Sequence, residues 1–289
     1  GFRDLLRTLW SGGTIVLGRA GPELPARIVQ HGVTWLLVPP ATLQLMVQAR
    51  PADARPFPSL AIVEVGGAHL PRAVWQAAVA RVCPSIVSSY GTTENGGVAC
   101  APMADVADRP GVVGRLLPGI EVKIVDALGA ELARGREGVI MIRGAGTVAA
   151  YYGDDDETRR RFVDGWFKSG DLGTLTTDGM LAIAGRADER INIGGSKIAP
   201  DVIERTILYF PGVVDAAAFA LPTADGIDRV ALAIVTGPAF EPSTFEARCR
   251  ERLGVWTPQM VLRMASIPRN ANGKVSRAEL AALASRQAR

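Results

Sequence analysis

Between residues 13 and 90 the chain switches repeatedly between short apolar runs and segments whose apolar residues recur at helical spacing. The runs cover residues 14–17, 33–38, 60–65 and 85–89, and the helical segments cover residues 22–31, 41–48 and 70–82. Strands that alternate with helices lie side by side in parallel when each helix crosses over the sheet, so this pattern predicts a parallel sheet covered by helices. In segment 70–82, Val74, Trp75, Ala78, Val79 and Val82 fall on one stripe. Pro71 sits near its first turn, where a missing N–H leaves no helical hydrogen bond unmade.

After Met103 the rhythm changes. Strands are expected over residues 120–125, 138–142, 172–175 and 180–184, with Asp178-Gly179 as the hairpin turn between the last two, and this stretch reads as antiparallel. Beyond Gly185 a helix over residues 200–209 (Val202, Ile203 and Ile207 on its apolar stripe) precedes strands over 216–220 and 230–235. Ser243-x-x-Glu246 reads as a capping box opening a helix that buries Phe245, Cys249 and Leu253 and stops at Gly254. A last helix is expected from Ser276-x-x-Glu279, burying Leu280 and Leu283. The fold class expected is α/β plus α+β: a partial parallel sheet with helices, a small antiparallel β subdomain, and a C-terminal α+β domain. The division expected is residues 1–184 and 185–289, with a short hinge near Gly185.

With 289 residues, 48% hydrophobic and 21% charged, the chain can build real cores and lies far from disorder. Its 32 basic and 29 acidic residues leave a net charge of +3, too small an excess to predict a nucleic-acid partner. Cys83, Cys100 and Cys249 are odd in number and show no CxxC spacing, so neither a disulfide framework nor a zinc site is expected and a reducing, cytoplasmic location is the reading. No apolar run approaches the roughly 18 residues of a membrane span, and Gly1-Phe2-Arg3-Asp4 has neither an initiator Met nor the order of a signal peptide.

In a parallel sheet, ligands collect beyond the carboxyl ends of the strands. Two loops are expected there, Gly66-Gly67-Ala68-His69-Leu70 and Tyr90-Gly91-Thr92-Thr93-Glu94. Small residues in the first would let a flat ring approach the backbone, although a plain turn explains them as well. The second offers an aromatic face, hydroxyls and a carboxylate, a set suited to base, phosphate and Mg²⁺, although Thr92 or Thr93 could equally cap a helix. Further along, Gly170-Asp171 places a lone acid before an apolar strand, where one carboxylate could face a diol. Gly185-Arg186-x-Asp188 lies near Gly194-Gly195, and Gly273-Lys274 carries one of only four lysines beside 28 arginines. Lysine on a glycine turn is a mobile point charge suited to a phosphate. Other charged features read as ordinary structure: His31 at a helix end, His69 in a loop, Asp154-Asp155-Asp156-Glu157 in a first helical turn, and Arg248, Arg250 and Arg252 on a solvated face. Cys83 and Cys249 read as buried fillers.

Taken in order, Tyr90-Gly91-Thr92-Thr93-Glu94, Gly170-Asp171, Gly185-Arg186-x-Asp188, Gly194-Gly195 and Gly273-Lys274 resemble the later motifs of the acyl-adenylate-forming superfamily of acyl-CoA synthetases, peptide-synthetase adenylation domains and luciferases. Tyr151-Tyr152-Gly153 with Thr158 and Gly165-Trp166-Phe167 extend the resemblance over essentially the whole chain. It implies an ATP-dependent carboxylic acid:CoA ligase of the kind used in fatty acid metabolism, with ATP, Mg²⁺ and CoA as cofactors and a small carboxylic acid as substrate. Residues 1–184 would be the later part of the large AMP-binding domain, and residues 185–289 a hinged lid.

By the same resemblance, Gly67 and Ala68 would lie along adenine and Tyr90 would stack on it, within a turn shared by Gly91 and Thr92. Thr93 would contact the α-phosphate, Glu94 would hold Mg²⁺, and Asp171 would take the ribose hydroxyls with Arg186 nearby. Asp188 would be the hinge, Gly194 and Gly195 would line the pantetheine passage, and Lys274 would reach the carboxylate and α-phosphate. The family's earlier Ser/Thr/Gly-rich phosphate loop has no counterpart, which reads as a C-terminal fragment inactive alone. The alternatives are a peptide-synthetase adenylation domain, or a non-catalytic binding module that keeps the fold.

Overall fold

The structure, a computed structural model, describes residues 2–18, 23–187, 189–193, 196–221, 228–270 and 273–287. Asp188, Gly194 and Gly195, the expected hinge and passage residues, lie outside the described residues. The chain forms two compact units: Gly1–Lys123 with Met141–Ser169 and Thr176–Ala182, and Ile124–Ile140 with Gly170–Leu175 and Ile183–Arg289.

Helices α1 (Phe2–Trp10) and α2 (Leu24–His31) come first, and Gly32 at φ +57 ends α2 in the left-handed region that glycine tolerates. Then strand and helix alternate: β1 (Trp35–Val38), α3 (Pro40–Gln48), β2 (Ile62–Gly66), α4 (Arg72–Arg81) and β3 (Ile86–Thr92). β1 pairs parallel with β2 and β2 with β3, with Gly66 opposite Ser89. The alternation works because each helix has one apolar face to bury: Leu43 and Met46 of α3 and Ala78 of α4 join Val63 and Val65 of β2 in one core. Two expectations fail here. Residues 14–17 form no strand, since the sheet begins at β1 and an apolar run without a ladder partner is not a strand. Tyr90-Gly91-Thr92 is the end of β3, and the chain then turns back as a hairpin rather than entering a helix, so neither Thr92 nor Thr93 is a helix cap.

The chain continues as β4 (Gly96–Pro102), α5 (Met103–Val106), β5 (Val112–Leu116), β6 (Ile120–Val125), β7 (Gly138–Gly144), α6 (Asp155–Arg161), β8 (Phe162–Val163), β9 (Trp166–Leu175) and β10 (Met180–Arg186). The strand order is β1-β2-β3-β4-β5-β10-β9-β7-β6, with β8 beside β9. Pairing is antiparallel from β3 to β4, β4 to β5 and β5 to β10. The Asp178-Gly179 turn stands where expected: Gly179 has φ +80, and both Asp178 oxygens accept from Arg109 at 2.8 and 2.9 Å, which holds that carboxyl below its usual range.

The second unit adds the antiparallel pair β11 (Ile191–Ile193) and β12 (Ser196–Ile198), then α7 (Pro200–Leu208), β13 (Val213–Leu221), β14 (Arg229–Thr236), α8 (Pro242–Leu253), β15 (Met260–Arg263) and α9 (Arg277–Gln287). β13 runs antiparallel to β14, and β14 parallel to β15. β13 is almost wholly apolar because both of its faces are buried. Ala216 and Ala218 pack with Ile203 and Ile207 of α7 and Phe245 of α8, whereas Ala217 and Phe219 pack with Leu280 and Ala284 of α9. The period of two in side-chain direction assigns the faces. Pro242 at the first helical position makes Glu241 the N-cap of α8, so the Ser243/Glu246 capping box does not form; Ser243 Oγ donates to Glu241 Oε1 at 3.1 Å instead. In α9 the buried partner of Leu280 is Ala284, one turn on, and Leu283 is only half-buried.

Candidate nucleotide site

Because β2 and β3 are parallel neighbours, the turn after one and the end of the other emerge on the same edge of the sheet. Gly66 must be small: a Cβ there would stand 2.9 Å from Ser89 Oγ. Gly67 is needed for its backbone, at φ +86, and Ala68 follows it into the turn. Tyr90 ends the regular ladder with a bulge before Gly91, where a Cβ would overlap the Gly96 carbonyl oxygen across the hairpin. Thr93 is exposed at the hairpin turn, and the Thr92 hydroxyl accepts from Asn95 N at 3.1 Å, which closes it.

Glu94 is half-buried and held from several sides. Its carbonyl accepts from Val148 N at 2.9 Å and Arg3 Nη2 at 3.4 Å, and its Oε1 accepts from the Tyr151 hydroxyl at 2.7 Å. Tyr151 is fixed in turn: its N–H donates to Thr158 Oγ1 at 2.9 Å, and its ring stands edge-on to Phe162 at 5.3 Å. Burial, reinforced by the bond to Glu94, pushes the Tyr151 phenol up to about 12. Beside it, the Thr147 hydroxyl donates to the side chain of buried Asn95 at 2.9 Å and accepts from Gly144 N at 2.9 Å. In the sequence, Tyr151 and Thr158 stand out as motif residues without a role. The bond to Glu94 spans 57 positions, and no local pattern signals it.

In the second unit, Asp171 on β9 meets Arg186 at the end of β10, Oδ1 to Nη1 at 3.3 Å, so this expected pair is brought together. Asp171 is only 15% exposed. Gly185, at φ +134, lets Ala199 and Asp201 approach: a Cβ there would lie 2.8 Å from Ala199 Cβ and 3.4 Å from Asp201 Oδ2. Burial raises the Asp201 carboxyl, and the nearby Asp171 charge adds to the shift. Lys274 has an exposed side chain on a tight turn, where Gly273 has φ +77, Gly273 N donates to Asn270 O at 2.9 Å and Lys274 N to Asn270 Oδ1 at 3.0 Å.

Among the described residues no group of three or more His, Cys, Asp or Glu is placed to hold a metal ion. The acidic run at α6 is a helix start: Asp154 accepts from Glu157 N at 2.9 Å, and Glu157 pairs with Arg160 and Arg161. No helix among those residues is long and apolar enough to cross a membrane.

Parallel strands ending in glycine turns and a carboxylate-bearing hairpin place the chain in the α/β class, whose ligands generally collect beyond the carboxyl ends of the strands. Residues 1–152 match the family model for the AMP-binding enzyme, and the chain belongs to that family. It is 34% identical over 290 residues to 4-coumarate–CoA ligase-like 6 of Oryza sativa subsp. japonica, covering 97% of this chain and 48% of that protein. It is 30% identical over 281 residues to the fatty acid–[acyl-carrier-protein] ligase ScoC of Streptomyces coeruleorubidus, covering 93% and 54%. Among solved structures it is similar to the amide bond synthetase McbA from Marinactinospora thermotolerans, with a TM-score of 0.83, 29% identity, and coverage of 94% of this chain and 56% of that one. The chain spans about half the length of the curated relatives it matches.

Proposed function

We propose that the chain is the part of an ATP-dependent carboxylic acid ligase that grips the nucleotide and supplies the adenylating lysine, with CoA as the thiol that finally receives the acyl group. The observation that carries this reading is the shared edge of β2 and β3, which delivers Gly67, Ala68, Tyr90, Gly91, Thr92, Thr93 and Glu94 to one place in a chain of the AMP-binding family.

In the proposed reaction a carboxylate oxygen of the acid attacks the α-phosphorus of ATP. The bond to the bridging oxygen of pyrophosphate breaks and acyl-AMP forms; a thiol sulfur then attacks the acyl carbon, and AMP leaves. Gly67 and Ala68 offer flat backbone to adenine, Tyr90 an aromatic face, Thr93 a hydroxyl to the α-phosphate, and Asp171 a carboxylate to the ribose hydroxyls with Arg186 beside it. Glu94 suits Mg²⁺, which would neutralise phosphate charge: Tyr151 occupies one carboxylate oxygen and a second remains, and Mg²⁺ is commonly held by one or two carboxylates, substrate phosphates and water. Two anions must meet in the first step, so a cation between them stabilises the transition state more than the separated reactants. Lys274 takes that role. It must then withdraw for the thiol, which motion of residues 185–289 about Asp188 would accomplish, with Gly194 and Gly195 lining the passage.

ScoC, by its name a ligase acting on an acyl carrier protein, supports a second reading in which a carrier-protein thiol replaces CoA. The test is acid-dependent exchange of pyrophosphate into ATP, measured on the chain alone and joined behind the N-terminal half of a related ligase, with CoA and holo carrier protein as competing acceptors. Lys274→Ala should lower adenylation by about 100-fold or more while sparing thioesterification of a supplied acyl-adenylate. Equal loss of both half-reactions contradicts the role given to Lys274.

A further inference from the structure

We propose that Arg269 is a positioning residue for Lys274, with Asp215 as its anchor on β13. The inference rests on the proposed role of Lys274 as the adenylating cation, but the geometry behind it is independent of that role. Arg269 opens the turn that carries Lys274, and its backbone pairs across the turn with Val275. Its guanidinium faces two ways. Nη2 donates to both oxygens of Asp215, at 3.0 and 2.9 Å, and Nη1 donates to the carbonyl of Gly273 at 3.1 Å, the peptide that leads into Lys274.

Asp215 is itself fixed. It lies at the register shift where β13 begins its regular pairing with β14, and its Oδ1 accepts from Ala216 N at 2.9 Å. The ion pair is mostly shielded, at 22% and 23% side-chain exposure, so water and salt weaken it less than an open surface pair. The planar guanidinium holds the carboxylate and the carbonyl with separate nitrogens in one rigid fork; a lysine ammonium, with its three donors on one atom at the end of a flexible stem, would have to sit close to both acceptors and fixes them less well.

The position of an exposed lysine ammonium is set by the backbone that presents it. Gly273 is conformationally permissive, and the bonds from Asn270 N to Lys274 O at 2.8 Å and from Lys274 N to Asn270 Oδ1 at 3.0 Å join the two arms of the turn to each other. Arg269 ties it to β13. Without that tie the turn samples other placements, and a group that must meet two anions in one geometry loses rate before it loses binding.

The test uses the 289-residue chain with Arg269→Met, Arg269→Lys and Asp215→Asn. Hydrogen exchange read by mass spectrometry should show the amides of Gly273 and Lys274 exchanging about 10-fold faster or more in Arg269→Met and Asp215→Asn, with β13 and β14 unchanged. Arg269→Lys should fall between these and the parent. In the pyrophosphate-exchange assay, run with each variant joined behind the N-terminal half of a related ligase, Arg269→Met should lower the adenylation kcat about 10-fold with KM for acid and ATP unchanged, spare thioesterification of a supplied acyl-adenylate, and be partly rescued by Arg269→Lys. Unchanged exchange at the turn overturns the proposal, as does equal loss of both half-reactions. A turn that loosens while Lys274→Ala leaves adenylation intact overturns the assignment of Lys274 instead, and Arg269 keeps its hold on the turn.

Discussion

Glu94 and Tyr151 show how a carboxylate is held by a residue far away in sequence. A phenol that donates to a carboxylate in a half-buried site ionises late, which is why Tyr151 rises to about 12 from an ordinary 10. In an alkaline absorbance titration the parent's four tyrosines should include one late transition, and Tyr151→Phe should remove it and cost about 1 kcal/mol of stability. A second residue-scale prediction concerns Arg277, whose guanidinium meets Glu189 at 2.7 Å, Glu204 at 2.7 Å and Asp201 at 3.3 Å. Three carboxylates share one cation there, with Arg205 close by, and burial outweighs the attraction of Arg277 to push Glu204 up to about 7. The folded state therefore favours protonated Glu204: its stabilising contribution is complete below the ordinary value of 4.5 and lost as pH rises through about 7. Melting temperature should fall between pH 5 and pH 8, and Glu204→Gln should flatten that slope. A slope unchanged by the substitution would contradict this account of the cluster.

At the scale of elements, the hairpin from β3 to β4 presents Thr93 and Glu94, and Gly91 is its tightest point. Gly91→Ala drives a Cβ into the Gly96 carbonyl, so backbone must shift. Stability should fall by about 1–3 kcal/mol, with faster amide exchange confined to residues near 90–97; a protein as stable as the parent would refute the tight packing. The alternation of strand and helix in the first unit was legible because periods of 2 and 3.6 are written in apolar spacing, as in α4 and β2. The two faces of β13 were not, since an unbroken apolar run carries no period. Local signals also misled where a neighbour decided the outcome: Pro242 moved the start of α8 away from Ser243, and residues 14–17 found no ladder partner. As candidates, Thr93, Glu94, Asp171 and Lys274 were readable one by one from their chemical types, whereas the neighbours that hold them, Tyr151 at Glu94 and Arg269 with Asp215 at the Lys274 turn, depend on contacts that only the folded chain creates.

For the whole molecule, the chain belongs to the AMP-binding family and is similar to 4-coumarate–CoA ligase-like 6 and to the amide bond synthetase McbA over about half of their length. The proposed ligase activity asks one chain to supply an aromatic face and small turn for a base, and carboxylates for a metal and a ribose. That demand can be measured without turnover. Titration calorimetry of the chain with a non-hydrolysable acyl-adenylate analogue should give saturable binding at one site, weakened about 10-fold or more by Asp171→Ala through loss of a charge-assisted hydrogen bond. Absence of binding, or an affinity that Asp171→Ala leaves untouched, would contradict it.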